Sequence, residues 1–367
     1  MAKRKFGIRL ALSECSMRVP AFFRPPVVGL DIGSDAVKAV ILRRSRGAWT
    51  LVGAAEAPMN DSGTSDPELV AEALREVLDT LRVRRGRISA ALPGSAAIVK
   101  RLSLPAMTEA ELAEAIPWEA EQYIPFDLAE VQLDYQVLPP DHAGGATDVL
   151  LVAAKKDRIE SRTDAIIRSG RQPVILDLEA FALVNAYQAN HHDRRDPMTV
   201  LVHAGRVSTI VCVLERSQLV FTRDIALGGQ TYTDALMRDL DVEPATAERL
   251  KHAGPLGRPL VPGIDPSQVS AILVDVTTQL VTEIRKSIDF YRAAAPTEHI
   301  SRIVVSGGAH DAEGLMVLLE NELEGPVEIL DPFLKISRAG RRAPAVDGAG
   351  PAYAVAVGLA MREDGAA

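Results

Sequence analysis

The same local pattern occurs in both halves of the chain and limits the folds that the chain can adopt. Residues 27–42 (VVGLDIGSDAVKAVIL) contain two β-rich runs joined by DIGS, a cluster typical of a hairpin turn. Residues 199–214 are again two strand-like runs around a glycine turn. No other periodicity accompanies this repeat, and we predict an α/β chain with two related halves.

Length and charge narrow the class of protein. At 367 residues the chain exceeds what one hydrophobic core usually supports, which favours several subdomains. Its 47% apolar and 25% charged residues are those of an ordinary globular protein. The 49 Asp and Glu residues outnumber 41 Lys and Arg, which argues against nucleic acid or anionic lipid as a partner. Any contact with a membrane should therefore be indirect.

Cysteine usage and hydropathy indicate the compartment. Cys15 and Cys212 lie far apart without a CxxC or Cys/His pattern, so neither a disulfide framework nor a zinc site is expected. No apolar run approaches the ~20 residues that span a bilayer, and the basic first 26 residues contain no convincing export signal. We expect a cytoplasmic protein without direct membrane insertion, and Met17 is a candidate for its physiological start.

Changes in composition predict the order of the subdomains. They are a basic, disordered arm (1–26), a first half (27–104), an inserted α+β subdomain (105–170), a return to the first half (171–196), a second half (197–232), a helical subdomain (233–298), a return to the second half (299–345), and a closing helix that packs on the first half, with a tail (346–367). Thr108 and Glu111 form a capping-box pattern at the start of the insert. Pro117 should kink the helix that follows.

Apolar periodicity predicts the individual elements. Helices are expected over 67–83, 108–123, 157–169, 179–189, 269–294 and 353–361, with another beginning near Asp311. Besides the two hairpins, strands are expected over 88–92, 131–138, 148–154, 174–178, 218–225 and 303–305.

Two hairpins, a long helix and a later Ser-Gly-Gly turn resemble the actin/Hsp70/hexokinase ATPase fold. The resemblance implies an actin-like fold, with two ribonuclease-H-like halves around a nucleotide cleft, and ATP and Mg²⁺ as cofactors. In that family the glycines of the tips allow backbone amides to approach phosphates. Asp31 would face hydrated Mg²⁺, and Lys38 would neutralise phosphate charge. The Gly33 and Ser34 amides would contact the β- and γ-phosphates, although a plain hairpin is the alternative.

The second tip departs from the family pattern. It reads His203-Ala204-Gly205, followed by Ser208 and Thr209, where the family usually has Asp-x-Gly. Gly205 and Thr209 match as nucleotide-binding residues, but histidine cannot replace a carboxylate around Mg²⁺ at neutral pH. We therefore predict ATP binding with weak or absent hydrolysis.

The same resemblance implies four further sets of residues. They are an adenosine turn (Ser306, Gly307, Gly308), ribose and adenine contacts on the long helix (Glu283, Lys286, Ser287), a γ-phosphate turn (Gly228, Gly229), and Glu179 as the residue that positions the attacking water. Each has a plainer alternative. The glycine turns could only redirect the chain, and Glu and Lys at i, i+3 could form a solvated helix face. Asp177 or Glu179 could merely cap a helix.

A more specific resemblance is carried by short segments along the chain. They are GLDIGS, ELAEAIPWEAEQYIPF at 111–126, LDYQV at 133–137, DLEAFAL, EIRKSIDFY and AVAVGLAMR. Together with the Gly-Gly turn at 228–229 they closely resemble the PilM family of type IV pilus assembly proteins, over nearly all of residues 27–362. The resemblance implies a cytoplasmic, ATP-binding scaffold held at the inner face of the inner membrane through its partners.

The PilM resemblance also implies those partners. PilN is a bitopic membrane protein whose short cytoplasmic N-terminal peptide would lie in a groove between the first subdomain and the insert. Trp118, Tyr123, Ile124 and Phe126 are candidates for the lining, although each could instead belong to the core of the insert. Pilus motor ATPases, the platform protein and a second copy of the chain are further candidate partners.

Three other functions share this fold, and a fold does not determine function. A sugar or carboxylate kinase needs tip carboxylates and a general base, whereas this chain has His203 and no obvious substrate-lobe Asp. An FtsA-like division filament needs a basic amphipathic C-terminal helix, whereas this chain ends GLAMREDGAA. An actin-like component of a type II secretion platform is the nearest alternative, although such proteins usually continue into a transmembrane helix.

Overall fold

The computed structural model describes residues 27–45, 47–59, 66–83, 86–138, 146–191, 196–253, 261–294, 299–338 and 350–362. They form two compact units. The described parts of 1–186, 333–346 and 355–367 make unit 1, and those of 187–332 and 347–354 make unit 2. The predicted arm 1–26, with Cys15 and the candidate start Met17, lies outside the described residues, as does the tail after residue 362.

The strands and helices alternate as in an α/β protein. The strands are β1 Val27–Ile32, β2 Ala36–Ser45, β3 Ala48–Pro58, β4 Arg87–Leu92, β5 Ala97–Pro105, β6 Val131–Val137, β7 Ala146–Lys155, β8 Pro173–Leu178, β9 Met198–Ala204, β10 Thr209–Glu215, β11 Gln218–Ile225, β12 Arg302–Ser306, β13 Val327–Ile329 and β14 Ser337–Arg338. The helices are α1 Pro67–Thr80, α2 Glu109–Glu121, α3 Lys156–Arg168, α4 Glu179–Asn190, α5 Gly229–Leu240, α6 Pro244–Ala253, α7 Pro266–Ala294, α8 Leu315–Leu323 and α9 Ala354–Ala360.

These elements confirm the predicted helices and strands to within a few residues, with one exception. Helix α8 begins at Leu315 and not near Asp311, since the preceding turn ends in Gly314 with a left-handed backbone (φ 76°). Within the described ranges, no helix is long and apolar enough to cross a membrane.

Unit 1 is built on a six-stranded sheet in the order β14-β3-β2-β1-β4-β8. β1, β2 and β3 pair antiparallel, whereas β1, β4 and β8 pair parallel. The predicted first hairpin therefore lies in the middle of the sheet. All residues of β1 after Val27 are buried, and their near-continuous apolar sequence fits a strand covered on both faces.

The insert of unit 1 is a three-stranded antiparallel sheet, β5-β7-β6, that packs with α2. Helix α2 begins with the predicted capping box, because Glu111 N–H donates to Thr108 Oγ1 while Thr108 N–H donates to a Glu111 carboxylate oxygen. The helix continues through Pro117. The predicted start of the insert at residue 105 would separate β5 from the rest of this sheet. Because β5 pairs with β7 along its whole length, the sheet of the insert begins at Ala97.

Helices α3 and α9 attach distant parts of the chain to the main sheet of unit 1. Helix α3 directly follows β7, yet it packs against α1 and β8. The predicted insert, which ends at residue 170, therefore includes a helix that belongs to the layer of the main sheet. Helix α9 approaches α4 so closely that a Cβ atom at Gly358 would overlap Ala182 O.

Unit 2 is built on a five-stranded sheet in the order β11-β10-β9-β12-β13. The predicted second hairpin forms its antiparallel part, and β12 pairs parallel with β9. Helix α7 packs on this sheet through Ile284 and Ile288. Nearer its beginning, Val269 and Leu273 of α7 pack with α5 and α6. Each unit thus has an antiparallel hairpin, as the sequence repeat predicts, and a parallel strand beside it.

Candidate functional site

The first hairpin tip lies between β1 and β2 in unit 1. Gly33 N–H donates to Ala36 O at 3.2 Å, so this amide closes the turn, and its role in phosphate binding stays a prediction. Ser34 follows in the tip, and its amide is the next candidate donor. Asp31 and Lys38 are directly opposed on the two strands. The structure therefore keeps Asp31, Ser34 and Lys38 together.

The Asp31 carboxyl group is buried beside two cations. Burial raises its pKa, and the charges of Lys38 and Arg162 oppose that rise. Among the described residues, no group of three or more His, Cys, Asp or Glu side chains could hold a metal ion by itself. The donor set therefore fits a Mg²⁺ ion only where phosphate oxygens and water complete its coordination.

Arg162 belongs to this site but was not predicted from the sequence. It lies on α3, and its Nη1 donates to Ile32 O at 3.1 Å. Burial lowers its pKa, whereas the carboxylates of Glu179 and Asp31 raise it. The sequence did contain a signal for Arg162. It lies four residues before Ile166, on the same face of α3, and Ile166 is buried. An arginine on the buried face of an amphipathic helix is unusual.

Glu179 and Asp177 have different surroundings. Glu179 is the first residue of α4, and its charge acts on Arg162. Asp177 is fully buried; its Oδ1 accepts from Leu178 N–H at 2.8 Å, and its Oδ2 lies 3.1 Å from Arg362 Nε. Asp177 therefore bonds to the end of its own strand and pairs with Arg362, whereas the charge of Glu179 acts on Arg162.

The second hairpin is linked to the predicted adenosine turn by a side-chain hydrogen bond. His203 Nδ1 and Ser306 Oγ are 2.9 Å apart, and both side chains are buried. The two residues are register partners at the ends of β9 and β12. The histidine that replaces the expected carboxylate therefore connects two turns of unit 2.

Two residues of the second tip, Gly205 and Thr209, form hydrogen bonds within unit 2. Gly205 N–H donates to Ser208 O at 2.9 Å, which closes this turn as Gly33 closes the first. Thr209 is fully buried, and its hydroxyl donates to Leu227 O at 2.8 Å. The Thr209 hydroxyl is therefore bonded within unit 2, and the role of Thr209 in nucleotide binding stays a prediction.

The Gly228-Gly229 turn packs directly on the second tip. Gly229 N–H donates to Gly205 O at 2.9 Å, and Gln230 N–H donates to Arg206 O at 2.6 Å. Both amides belong to the first residues of α5 and are satisfied by the neighbouring tip. The structure thus brings the predicted second tip and the predicted γ-phosphate turn together.

The predicted adenosine turn also packs against the end of β9. Gly307 has a left-handed backbone (φ 97°), and a Cβ atom there would overlap Ala204 O. Ala309 N–H donates to the same oxygen at 3.0 Å. Gly308 is exposed, and a Cβ atom there would meet nothing within 4 Å. Gly308 is therefore the open position of the turn, where a ligand could approach the backbone.

The three residues predicted on α7 contact one another and an edge strand. Lys286 Nζ donates to Glu283 Oε1 at 2.6 Å, and this bond lowers the pKa of Glu283. Ser287 is buried, donates to Glu283 O and accepts from Arg223 of β11. The exposed Glu283–Lys286 pair matches the alternative of a solvated helix face. Ser287 belongs to the packing of α7 on the sheet, and its contact with the nucleotide stays a prediction.

The four candidate groove residues divide into exposed and packed side chains. Trp118 is 71% exposed and Tyr123 is 42% exposed. Ile124 is 6% exposed and belongs to the core of the insert, which corrects its predicted place in the groove. Phe126 packs partly on that core, with Lys155 Nζ 3.9 Å from its ring centroid. Trp118 and Tyr123 are therefore the aromatic surface that the insert presents.

Similar solved structures support the fold. A PilM-PilN type IV pilus biogenesis complex matches with a TM-score of 0.80 at 26% identity, over 92% of this chain and 98% of that chain. Ethanolamine utilization protein EutJ from Carboxydothermus hydrogenoformans matches with a TM-score of 0.54 at 14% identity, over 92% of this chain and 89% of EutJ. MreB5 of Spiroplasma citri bound to ADP matches with a TM-score of 0.50 at 12% identity, over 91% and 94%. The predicted actin-like fold is confirmed.

Sequence comparison identifies the family. Residues 29–364 match the family profile described as type IV pilus assembly protein PilM. The matched range contains both hairpin tips, the insert, the Ser306 turn and α9. By sequence and by fold, this chain belongs to the family of the type IV pilus assembly protein PilM.

Proposed function

We propose that this protein is a cytoplasmic, actin-like scaffold of the type IV pilus assembly platform. It binds ATP with Mg²⁺ and captures the N-terminal peptide of a PilN-like bitopic membrane protein, which holds it at the inner face of the inner membrane. The observation that carries this proposal is the family match over residues 29–364. That match favours a pilus system over the type II secretion alternative.

Nucleotide binding is supported by each unit separately. In unit 1, the Ser34 amide and the Lys38 ammonium are suited to phosphate oxygens, and Asp31 to a water of hydrated Mg²⁺. In unit 2, the open backbone at Gly308 is suited to the nucleoside part. Bound ATP would supply the phosphate ligands that Mg²⁺ needs, because the described residues contain no complete metal site.

The chemistry of the second tip supports binding more than turnover. His203 stands where a carboxylate would orient metal-bound water, and its Nδ1 is occupied with Ser306 Oγ. An imidazole in this place offers no negative charge to Mg²⁺. The proposed role is therefore that of a nucleotide-dependent scaffold with slow hydrolysis.

Peptide capture is supported by the exposed surface of the insert. Trp118 and Tyr123 are large aromatic side chains with much of their area in water, and such residues are typical anchors of binding interfaces. Lys100 Nζ lies 5.1 Å from the Tyr123 ring centroid, which places a cation beside this surface. A partner peptide would bury the exposed rings and remove their apolar area from water.

Calorimetry with a synthetic peptide tests the proposal. The peptide copies the cytoplasmic N-terminus of the PilN-like protein of the same cell, and it is titrated into the full chain with and without ATP and Mg²⁺. Trp118→Ala is expected to weaken binding by about tenfold or more, because truncating a central anchor commonly costs about 2 kcal/mol. Val317→Ala, a similarly exposed apolar position on α8, is the matched control and should bind normally.

Thermal unfolding of the same variants separates binding from folding. Ile124→Ala should lower stability, because it removes a buried side chain from the insert core. Trp118→Ala should leave stability nearly unchanged. No peptide binding by the wild-type protein, with or without nucleotide, would refute the scaffold role, whereas failure of ATP to bind would refute only the nucleotide part.

A further inference from the structure

Arg162 connects three parts of unit 1 that the proposed phosphate site uses. Its Nη1 donates to Ile32 O at 3.1 Å, and Ile32 is the last residue of β1 before the first tip. The carboxylates of Asp31 and Glu179 both favour its charged form against the cost of burial. One side chain of α3 therefore acts on the end of β1 and on the first residue of α4.

Two acidic and two basic side chains interact in pairs around this arginine. Asp31 and Glu179 are acidic, and Arg162 and Lys38 are basic, with each residue supplied by a different element. A charge in a mostly buried setting is costly unless it is paired and hydrogen-bonded. Without the guanidinium, the Asp31 and Glu179 carboxylates would lose this counter-charge, and a polyphosphate approaching the tip would meet more negative charge.

We propose that Arg162 is a positioning residue that neutralises the Asp31 and Glu179 carboxylates and so makes the first tip compatible with a polyphosphate. The inference rests on the proposed function, because it assumes that nucleotide binds at this tip. The planar guanidinium suits the role, since it donates in fixed directions and can serve the Ile32 carbonyl and a carboxylate at once.

A purely structural role for Arg162 predicts a different result from a counter-charge role. If the side chain only attaches α3 to β1, its loss weakens all nucleotides equally and in proportion to the loss of stability. If it is a counter-charge, its loss weakens Mg²⁺-free ATP more than Mg²⁺-bound ATP, because the free nucleotide carries more negative charge. The ratio of the two affinities therefore separates the two roles.

The experiment measures ATP affinity by calorimetry in Mg²⁺ and in EDTA, beside thermal unfolding of the same proteins without nucleotide. Arg162→Gln should increase the preference for Mg²⁺-bound ATP by about tenfold. Arg162→Lys keeps the charge and should keep the wild-type ratio. Arg158→Gln is the matched control, because Arg158 lies on the same helix with a side chain that is 66% exposed, and the ratio should not change.

A compensating variant strengthens the test. Glu179→Gln combined with Arg162→Gln removes one charge of each sign and should return the ratio toward that of the wild type. If Arg162→Gln does not fold, Glu179→Gln alone provides the test, because it should tighten Mg²⁺-free ATP relative to Mg²⁺-bound ATP.

The failures are distinguishable. Wild-type protein that binds no ATP under either condition refutes the proposed nucleotide binding, and this inference with it. Wild-type binding with an unchanged ratio in Arg162→Gln, or in Glu179→Gln where that variant is the test, refutes the role of Arg162 alone.

Discussion

Arg362 Nε lies 3.1 Å from Asp177 Oδ2, and both side chains are buried in unit 1. The pair connects the end of β8 to the residues that follow α9, although 185 positions separate them in sequence (362 − 177 = 185). Breaking a buried ion pair leaves an uncompensated charge, whereas replacing both partners removes the charges together.

The first prediction follows from this pair. Arg362→Met should lower the free energy of unfolding by about 3 to 5 kcal/mol, because it leaves the Asp177 carboxylate buried without its cation. Asp177→Asn should change the free energy of unfolding much less, because the raised pKa of Asp177 means that the cost of burying its charge offsets most of the attraction to Arg362. The double variant should recover a large part of the loss caused by Arg362→Met. Urea unfolding of all four proteins gives the coupling energy, and simple additivity of the two effects would show that the pair is not coupled.

The pH dependence of stability gives the second prediction. Burial raises the pKa of Asp177 from 3.8 to about 6, against the lowering effect of Arg362. Between about pH 4 and pH 6 the folded protein holds a proton at Asp177 that the unfolded chain has released. Stability from this group should therefore fall as pH rises through that window and stay constant above it, by at most about 3 kcal/mol.

The control for this slope is the variant without the carboxyl group. Asp177→Asn should lack this component, so the difference between the two unfolding curves isolates it from other titrating groups. A wild-type stability that rises across the window by the same amount as in Asp177→Asn would contradict the raised pKa.

Two neighbouring glycines give the third prediction. Gly307→Ala should lower the melting temperature, because its backbone is left-handed and the new Cβ would overlap Ala204 O; we expect a loss of about 2 kcal/mol or more. Gly308→Ala should leave stability nearly unchanged, because that position is open. If the turn holds nucleotide, Gly308→Ala should weaken ATP binding without unfolding, and unaltered affinity would remove this turn from the site.

The fourth prediction concerns the histidine of the second hairpin. The wild-type protein should hydrolyse ATP more slowly than roughly 1 per second, and His203→Asp should increase the dependence of nucleotide binding on Mg²⁺. Ser306→Ala is the control, because it removes the bond to His203 without adding a carboxylate. If His203→Asp and Ser306→Ala change Mg²⁺ dependence alike, the effect comes from the lost bond and not from the new charge.

Local patterns were sufficient for the long helices, for the two hairpins and for several turns, whereas strands β3, β5, β13 and β14 were not predicted. The capping box at Thr108 and Glu111 is encoded within four residues, and the hairpins depend on adjacent apolar runs around short turns. The two related halves follow from the repeat, and the family follows from the quoted segments. These features were therefore predictable from the sequence.

Features that depend on long-range packing were not predictable. Strand β5 joins the sheet of the insert because its partner β7 lies far along the chain, and nothing within 97–105 specifies that pairing. Ile124 and Trp118 are both apolar, but only the packed structure shows which one is buried. Arg162 and Arg362 find their partners through tertiary structure, because no local spacing connects them.

The discontinuity of unit 1 affects the order in which a ribosome can deliver its parts. Residues 187–354 are translated between the bulk of unit 1 and the segment 355–362, a delay of 168 residues (354 − 186 = 168). At 5 to 20 residues per second this interval lasts on the order of 10 to 30 seconds. Throughout it, Asp177 has no Arg362, and the surface that α9 will cover stays uncovered. The apolar surface of unit 1 that α9 covers is therefore completed only late in synthesis, after nearly all of unit 2 has been translated.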